Sequence, residues 1–316
     1  VLAHHVGVDD GVARVDRRVL GAVLVEYAHE AGLRLLELVV ALAVGAGLVA
    51  QHGRVLGVRE QVDVSIDRAL EFSHELGHLE RVDANGAVTS LYGGDDGDVF
   101  ANNLAIGDDG VIYFSEASRK FGARAFRDTM DATLFDVMEH GAHWRVLSFD
   151  PVAGTAEVLL DGLAYANGVA ISDGGDYLVI VEMNEYRILR YWLRGPRTGS
   201  VDVLLENLPG FGDNLKTGRN GRFWLGFAAP RKAIVDSLAD KPWLRKVIMR
   251  LPKFVRPAAD LSSHVIAFNG DGEILMNLHD PQARFPTLTG VLETQRNLYL
   301  TTLYGNVLPV IAKQDL

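Results

Sequence analysis

The 316-residue chain contains no cysteine, which excludes disulfides, thiolate metal sites and a cysteine nucleophile and leaves the redox compartment open. Long apolar runs are scarce as well. The most apolar stretch, LVVALAVGAGLVA at 38–50, has about half of the roughly 20 residues that a membrane-spanning helix needs, and Arg34 and Glu37 stand just before it. No membrane span is expected. No secretory leader is expected either, because Asp9, Asp10 and Asp16 stand where a basic segment and an apolar centre would be required. A cytoplasmic location follows as the expectation. Basic charge is in deficit, 31 Lys and Arg against 41 Asp and Glu for a net charge of −10, so the chain as a whole repels nucleic-acid phosphates and anionic membranes, and no nucleic-acid partner is expected. No GxSxG, HExxH or GxGxxG stands in a suitable context, which removes serine-hydrolase, zinc-protease and dinucleotide readings. What is present, 48% hydrophobic and 23% charged residues, is ordinary globular usage, and the length suits two medium domains or one large all-β domain.

Residues 1–77 have a different character. They hold no Pro, Thr, Asn, Lys, Met or Trp, while Val, Leu, Ala, Gly, Arg and His dominate. The apolar spacing over 19–48 is compatible with one or two helices, and the same bias would follow from reading a GC-rich coding region in the wrong frame or from a wrong start. The expectation is a helical or irregular region that is not native to the following fold and does not complete it.

From residue 78 the chain repeats itself. Four segments, 78–118, 144–183, 186–229 and 263–304, lay over one another. Each opens with a strand (HLERVD, WRVLSFD, YRILRYWL, SHVIAFN), turns at a glycine (ANG, PVAG, RGPRTG, GDG) and returns in a second strand (AVTSLY, TAEVLL, VDVLLENL, EILMNL). That pair is a hairpin. A polar loop then leads to a short strand (NLAIG, GVAIS, NLKTG, GVLET), a turn, and a last apolar-aromatic strand (VIYFSEA, YLVIVEM, RFWLGFA, LYLTTLY). Four strands per roughly 40–45 residues is the spacing of β-propeller blades, with an irregular β-sandwich as the rival. The fold expected over 78–316 is therefore an all-β propeller with four readable blades and an incomplete ring. The insertions 119–143 and 230–262 read as helical. In the second, Asp240 before Lys241-Pro242 suggests a capped start, and Arg245, Lys246, Arg250, Lys253 and Arg256 form a basic side that suits a solvated face or a contact with a membrane or partner.

The polar loop carries Asn102-Asn103 in the first unit, Asn167-Gly168 in the second and Asp213-Asn214 in the third, with Thr289-Gly290 in the fourth. Equivalent positions of a propeller meet around its axis. Convergent carboxamide and carboxylate oxygens suit a hard cation, and calcium takes six to eight oxygen ligands; Asn, Asp and Gly are also turn formers.

At these residues the sequence resembles the strictosidine-synthase-like branch of the six-bladed propellers that also include gluconolactonases and paraoxonases. The resemblance covers about 77–316 and is carried by FANNLAIGDDGVIYFSEAS (100–118), YANGVAIS (165–172), RILRYWLRGPRTGSVDVLLENLPGFGDNL (187–215), KPWLRK (241–246) and LHDP (278–281). It implies a central calcium held by Asn102, Asn167, Asp213 and Asn214, together with a glutamate of the first blade. Glu26, Glu30, Glu37, Glu60, Glu71 and Glu75 are nominal candidates for that glutamate, and Asn103 replaces the aspartate usual at its position. A central cation would polarise a carbonyl or ester oxygen as water attacks, so the expected activity is calcium-dependent hydrolysis of a small-molecule lactone or ester, with Asp213 as candidate base. His78, His140, His143, His264 and His279 are further proton-transfer candidates. The stretch 285–290 (FPTLTG) lacks the carboxylate that strictosidine synthesis would require, and Glu293 comes several residues late. The alternative is a non-catalytic binding scaffold or a defective homologue.

Overall fold

The structure, a computed structural model, describes residues 7–9, 12–14, 69–73, 78–82, 88–93, 101–116, 120–121, 129–252, 256, 258–303 and 307–316. Strands β1 (Gly7–Asp9) and β2 (Val12–Arg14) come first. They are followed by β3 (Ala69–Ser73), β4 (His78–Val82) and β5 (Val88–Tyr92), which form a three-stranded antiparallel sheet. Three four-stranded sheets then run in chain order. The first holds β6 (Ala101–Ile106), β7 (Ile112–Glu116), β8 (Trp144–Asp150) and β9 (Thr155–Leu163). The second holds β10 (Ala166–Ile171), β11 (Tyr177–Glu182), β12 (Arg187–Trp192) and β13 (Val201–Leu205), and the third β14 (Gly210–Thr217), β15 (Arg222–Pro230), β16 (Ser263–Asn269) and β17 (Ile274–Asp280). The last sheet starts from β18 (Leu288–Glu293), β19 (Asn297–Thr302) and β20 (Leu308–Ala312) and continues into β2 and β1.

This is the blade arrangement of a β-propeller, and burial shows which strand is central. Every residue of β10 and β18 is buried, whereas the fourth strands β9, β13 and β17 are largely exposed. The first strands read as short apolar runs without alternation because both of their faces are covered. They pack on one another, β6 beside β10, β10 beside β14 and β14 beside β18. The sequence repeat is offset from the blade by two strands: β4 and β5 close one sheet and β6 and β7 open the next, so each repeat joins the outer hairpin of one blade to the inner hairpin of its successor. Outer hairpins share a turn device. Asp150 Oδ1 accepts from the N–H groups of Val152 (2.8 Å) and Ala153 (3.0 Å), and Asn269 Oδ1 from those of Asp271 (3.0 Å) and Glu273 (2.9 Å), each an Asx turn that folds the chain back.

Of residues 1–77, expected to be helical or irregular, the stretches described, 7–9, 12–14 and 69–73, are strand. β2 pairs antiparallel with β20, Val12 with Pro309 and Ala13 with Leu308, and β1 pairs with β2. The rest of 1–77, and with it the question of whether the segment is native to the fold, lies outside the described residues.

Both insertions are helical, with α1 (Thr129–Glu139) in the first and α2 (Ala233–Ser237) and α3 (Pro242–Arg250) in the second. α1 is fastened to the blades by polar contacts. The Trp144 indole donates to Asp136 Oδ2 (2.6 Å), the Thr133 and Tyr165 hydroxyls lie 2.9 Å apart, and the rings of Trp144 and Tyr165 stack at 3.7 Å. Met138, Leu238 and Met249 form a small apolar cluster between α1 and the second insertion. Pro242 takes the first turn of α3 as expected, but Asp240 does not cap it; its carboxylate pairs with Lys241 Nζ at 2.7 Å. Arg245 leaves the expected basic side and is buried, donating to the carbonyls of Ala239 (2.8 Å) and Glu139 (3.4 Å). Among the described residues no helix is long and apolar enough to cross a membrane.

Candidate metal centre

The innermost strands are irregular at the positions that the sequence marks. Pairing slips between Ala101 and Leu104 in β6, Ala166 and Val169 in β10, Gly212 and Leu215 in β14, and Leu288 and Gly290 in β18. A slip of this kind frees residues from the ladder and re-aims their side chains. The freed positions are Asn102-Asn103, Asn167-Gly168, Asp213-Asn214 and Thr289. Backbone strain accompanies two of them: Tyr165 (φ 67°) and Thr287 (φ 58°) stand in the left-handed region two residues before Asn167 and Thr289, a conformation unfavourable for any bulky or β-branched residue. Each is pinned by the strand behind it, Met183 N–H donating to the Tyr165 carbonyl (2.9 Å) and Leu303 N–H to that of Thr287 (3.2 Å). Gly168 answers a close approach. A Cβ there would stand 2.4 Å from Leu215 N and 2.6 Å from the Asp213 carbonyl oxygen, so only glycine lets β10 and β14 meet at this depth.

The side chains converge as two amide chains. Asn102 Nδ2 donates to Asn167 Oδ1 (3.0 Å), and Asn167 Nδ2 faces Met183 Sδ (3.6 Å) and the Gly212 carbonyl (3.4 Å). Beside them Asn103 Nδ2 donates to Asn214 Oδ1 (3.0 Å), while Asn103 Oδ1 accepts from Val169 N–H (2.9 Å). Ser115 knits the two, its hydroxyl donating to the Asn167 carbonyl (2.6 Å) and accepting from Asn103 N–H (3.1 Å). Asn102, Asn167 and Asp213 are thus brought together from three strands, while Asn214 belongs to the second amide pair with Asn103. The sequence reading missed the bracing work of Asn103 and Ser115, for which the only signal was their place in the first marked motif.

Asp213 is the one carboxylate of the group. It keeps some accessible surface while protein crowds it on every side, as at the floor of a narrow opening, and this desolvation pushes its carboxyl from 3.8 up to about 7, with the Asn167 amide working against the rise. Among the described residues no cationic side chain offsets it. A crowded carboxylate ringed by neutral amides lacks positive charge, and a hard divalent cation would supply it. The donor chemistry therefore fits calcium, with Asn102, Asn167, Asp213 and Asn214 as the residues that would hold it. The charge complement is small: among the described residues no three His, Asp or Glu side chains form a cluster able to hold a metal. Of the glutamates considered for the first blade, Glu71 lies on β3 opposite Glu80, and the others lie outside the described residues.

The remaining candidates stand elsewhere. His140 pairs with Glu185 (2.9 Å) and His143 with Glu139 (3.5 Å). His264 and His279 face each other across β16 and β17, with Asn277 Oδ1 at 2.7 Å from His264 Nε2. The side chain of His78 lies outside the described residues. Glu293 is a structural anchor: burial opposes its ionisation, but Lys313 Nζ (2.6 Å), Arg219 N–H (3.0 Å) and the Trp224 indole (2.8 Å) hold its carboxyl below the usual range.

Comparison with known proteins agrees with this fold and with the resemblance. Residues 102–196 match the strictosidine synthase family model. The chain is 34% identical over 209 residues to the adipocyte plasma membrane-associated protein of Bos taurus, covering 64% of this chain and 49% of that protein. It is 37% identical over 154 residues to the protein strictosidine synthase-like 10 of Arabidopsis thaliana, covering 48% and 39% respectively. The chain thus spans half or less of the length of these relatives. Among solved structures, a gluconolactonase from Xanthomonas campestris superposes with a TM-score of 0.52 at 19% identity, over 77% of this chain and 69% of that one, a likeness of fold. The chain thus has a β-propeller fold and is similar in sequence to strictosidine-synthase-like proteins over the matched residues.

Proposed function

We propose that the axial group binds calcium and hydrolyses a small-molecule lactone or ester. The observation that carries this reading is Asp213, a crowded carboxylate with a carboxyl pushed up to about 7 and, among the described residues, no cationic neighbour, set beside Asn167 and its partner Asn102. Calcium, when bound, would supply Lewis-acid polarisation of the substrate carbonyl and lower the barrier to attack by water. The residues contribute the rest. The bulged strands free Asn102, Asn167 and Asp213 from the ladder, the amide pairs would hold their oxygens for a cation, and crowding by the blades would limit screening of the charge by bulk water. Asp213 Oδ1 or Oδ2 would accept a proton from the attacking water, with a basicity that bound calcium would lower. Strictosidine-type condensation has no support, because Glu293 is held ionised by Lys313 and the stretch 285–290 offers no acid.

A second reading, a binding scaffold without catalysis, is favoured by one observation: the amides satisfy one another, Asn102 with Asn167 and Asn103 with Asn214, so the group is closed without an ion. Hydrolysis of a panel of aliphatic lactones and aryl esters, with calcium and with a chelator, separates the two. The hydrolase reading expects turnover that requires calcium and is lost in Asp213→Asn. Turnover indifferent to both, or absent from the whole panel, rejects it in favour of the scaffold.

A further inference from the structure

α3 has two opposite faces. Arg245 and Met249 are buried, and Leu244 and Ile248 are partly buried against the cluster that joins α3 to α1. On the other side Trp243, Lys246, Val247 and Arg250 are all exposed, and positions i, i+3, i+4 and i+7 make one continuous stripe. Trp243 is 66% exposed and Val247 44%, with Leu251 (37%) just beyond the helix and Ile234 (54%) exposed on α2. The contrast within the molecule is plain: Trp144 and Trp224 are 1% and 0% exposed. α3 carries no acidic residue, and Asp240 before it is held by Lys241. An apolar and cationic stripe thus stands on a chain whose net charge is −10.

We propose that this stripe docks the protein on an anionic lipid surface, with Trp243 and Val247 entering the boundary between headgroups and acyl chains and Lys246 and Arg250 meeting lipid phosphates. An exposed tryptophan beside cations is the residue pairing that a membrane interface accommodates, one ring edge dry and the other wet. Charge complementarity selects the lipid over a second copy of this acidic chain: Lys246 and Arg250 are attracted to an anionic surface, while the rest of the molecule is repelled by it and orients the stripe inward. The placement has a consequence for the axial site. Asn102 and Asn167 sit at the start of β6 and β10 and Asp213 in the first half of β14, and both insertions leave from the end of a second strand, after β7 and after β15. Second strands run antiparallel to first strands, so the insertions emerge at the same end of the propeller as Asn102, Asn167 and Asp213. Docking through α3 turns that end toward the bilayer, where apolar esters and lactones concentrate.

The test uses the whole chain with phosphatidylcholine vesicles and with vesicles containing about a third phosphatidylserine, reading co-sedimentation and tryptophan fluorescence. Binding should require phosphatidylserine, weaken with salt and shift the emission to the blue. Trp243→Ala should weaken it at least about tenfold and abolish the shift, and Lys246→Gln with Arg250→Gln should weaken it about 30-fold. These side chains are solvent-exposed, so the variants should keep the parent's melting temperature. Absence of binding to phosphatidylserine vesicles, equal binding to neutral ones, or unchanged binding by the variants overturns the proposal. A concentration-dependent dimer that Trp243→Ala dissolves would assign the stripe to a second copy instead and overturns it as well.

Discussion

Replacing Asp213 by asparagine should stabilise the calcium-free protein, and only above mildly acidic pH. The folded carboxyl titrates near 7 and that of an unperturbed aspartate near 3.8, so the folded state holds the proton more tightly than the unfolded state does. The stability this confers is fully present below the unfolded value and is lost as pH rises through the interval up to the folded value. At about 1.4 kcal/mol per pH unit the loss totals about 4 kcal/mol at most, and levels off above the folded value. Asp213 retains some accessible surface, and screening at that surface makes about 2 kcal/mol the expected size. Asparagine has nearly the same shape and no charge to desolvate. Urea denaturation in chelator should therefore find Asp213→Asn within error of the parent at about pH 4 and about 2 kcal/mol more stable at about pH 8. Saturating calcium should erase that advantage by stabilising the parent alone. Stability curves that run parallel across this range would refute the reasoning, because they would mean that Asp213 titrates in the folded protein as it does in the unfolded chain.

Gly168→Ala should cost about 2–3 kcal/mol in the same urea assay, since its Cβ would strike the backbone of Asp213 and Leu215, which cannot yield as a flexible side chain would. Asn103→Ala should cost about 1–3 kcal/mol by leaving Val169 N–H buried without an acceptor, whereas Asn103→Asp keeps that acceptor, adds a second carboxylate to the group and should tighten calcium binding measured by calorimetry. Glu116 is only 1% exposed and paired with Arg145, so Arg145→Met should cost about 3–5 kcal/mol by stranding a charge; Glu116→Gln with Arg145→Met should recover most of that, and failure to recover would mean that Arg145 acts through packing alone.

The blades were legible in the sequence because each carries two hairpins whose turn residues repeat. PVAG and GDG mark the outer turns, and Gly154 (φ 69°) and Gly272 (φ 82°) take up the left-handed conformations that those turns need. The phase was not legible, because a repeat read along the chain cannot say which hairpin pairs laterally with which. That is decided by the fully buried faces of β10 and β18. Of the candidate site, Asn102, Asn167, Asp213 and Asn214 were readable as repeated polar residues next to apolar strands. The bulges that aim them were not, since a register slip depends on the partner strand. Nor was the brace by Asn103, whose neighbours Val169 and Asn214 stand 66 and 111 residues away in sequence. In 1–77 the strands Gly7–Asp9 and Val12–Arg14 are three residues each, too short to show alternation.

The central claim is that four side chains from three blades make one cation site, and calcium titration by isothermal calorimetry with parallel thermal melts tests it most directly. The account predicts saturable binding of one calcium per chain, a melting temperature that rises with calcium concentration by linkage, and loss of both in Asp213→Ala. No heat and no thermal shift in the parent protein, or the same binding in Asp213→Ala, would contradict it.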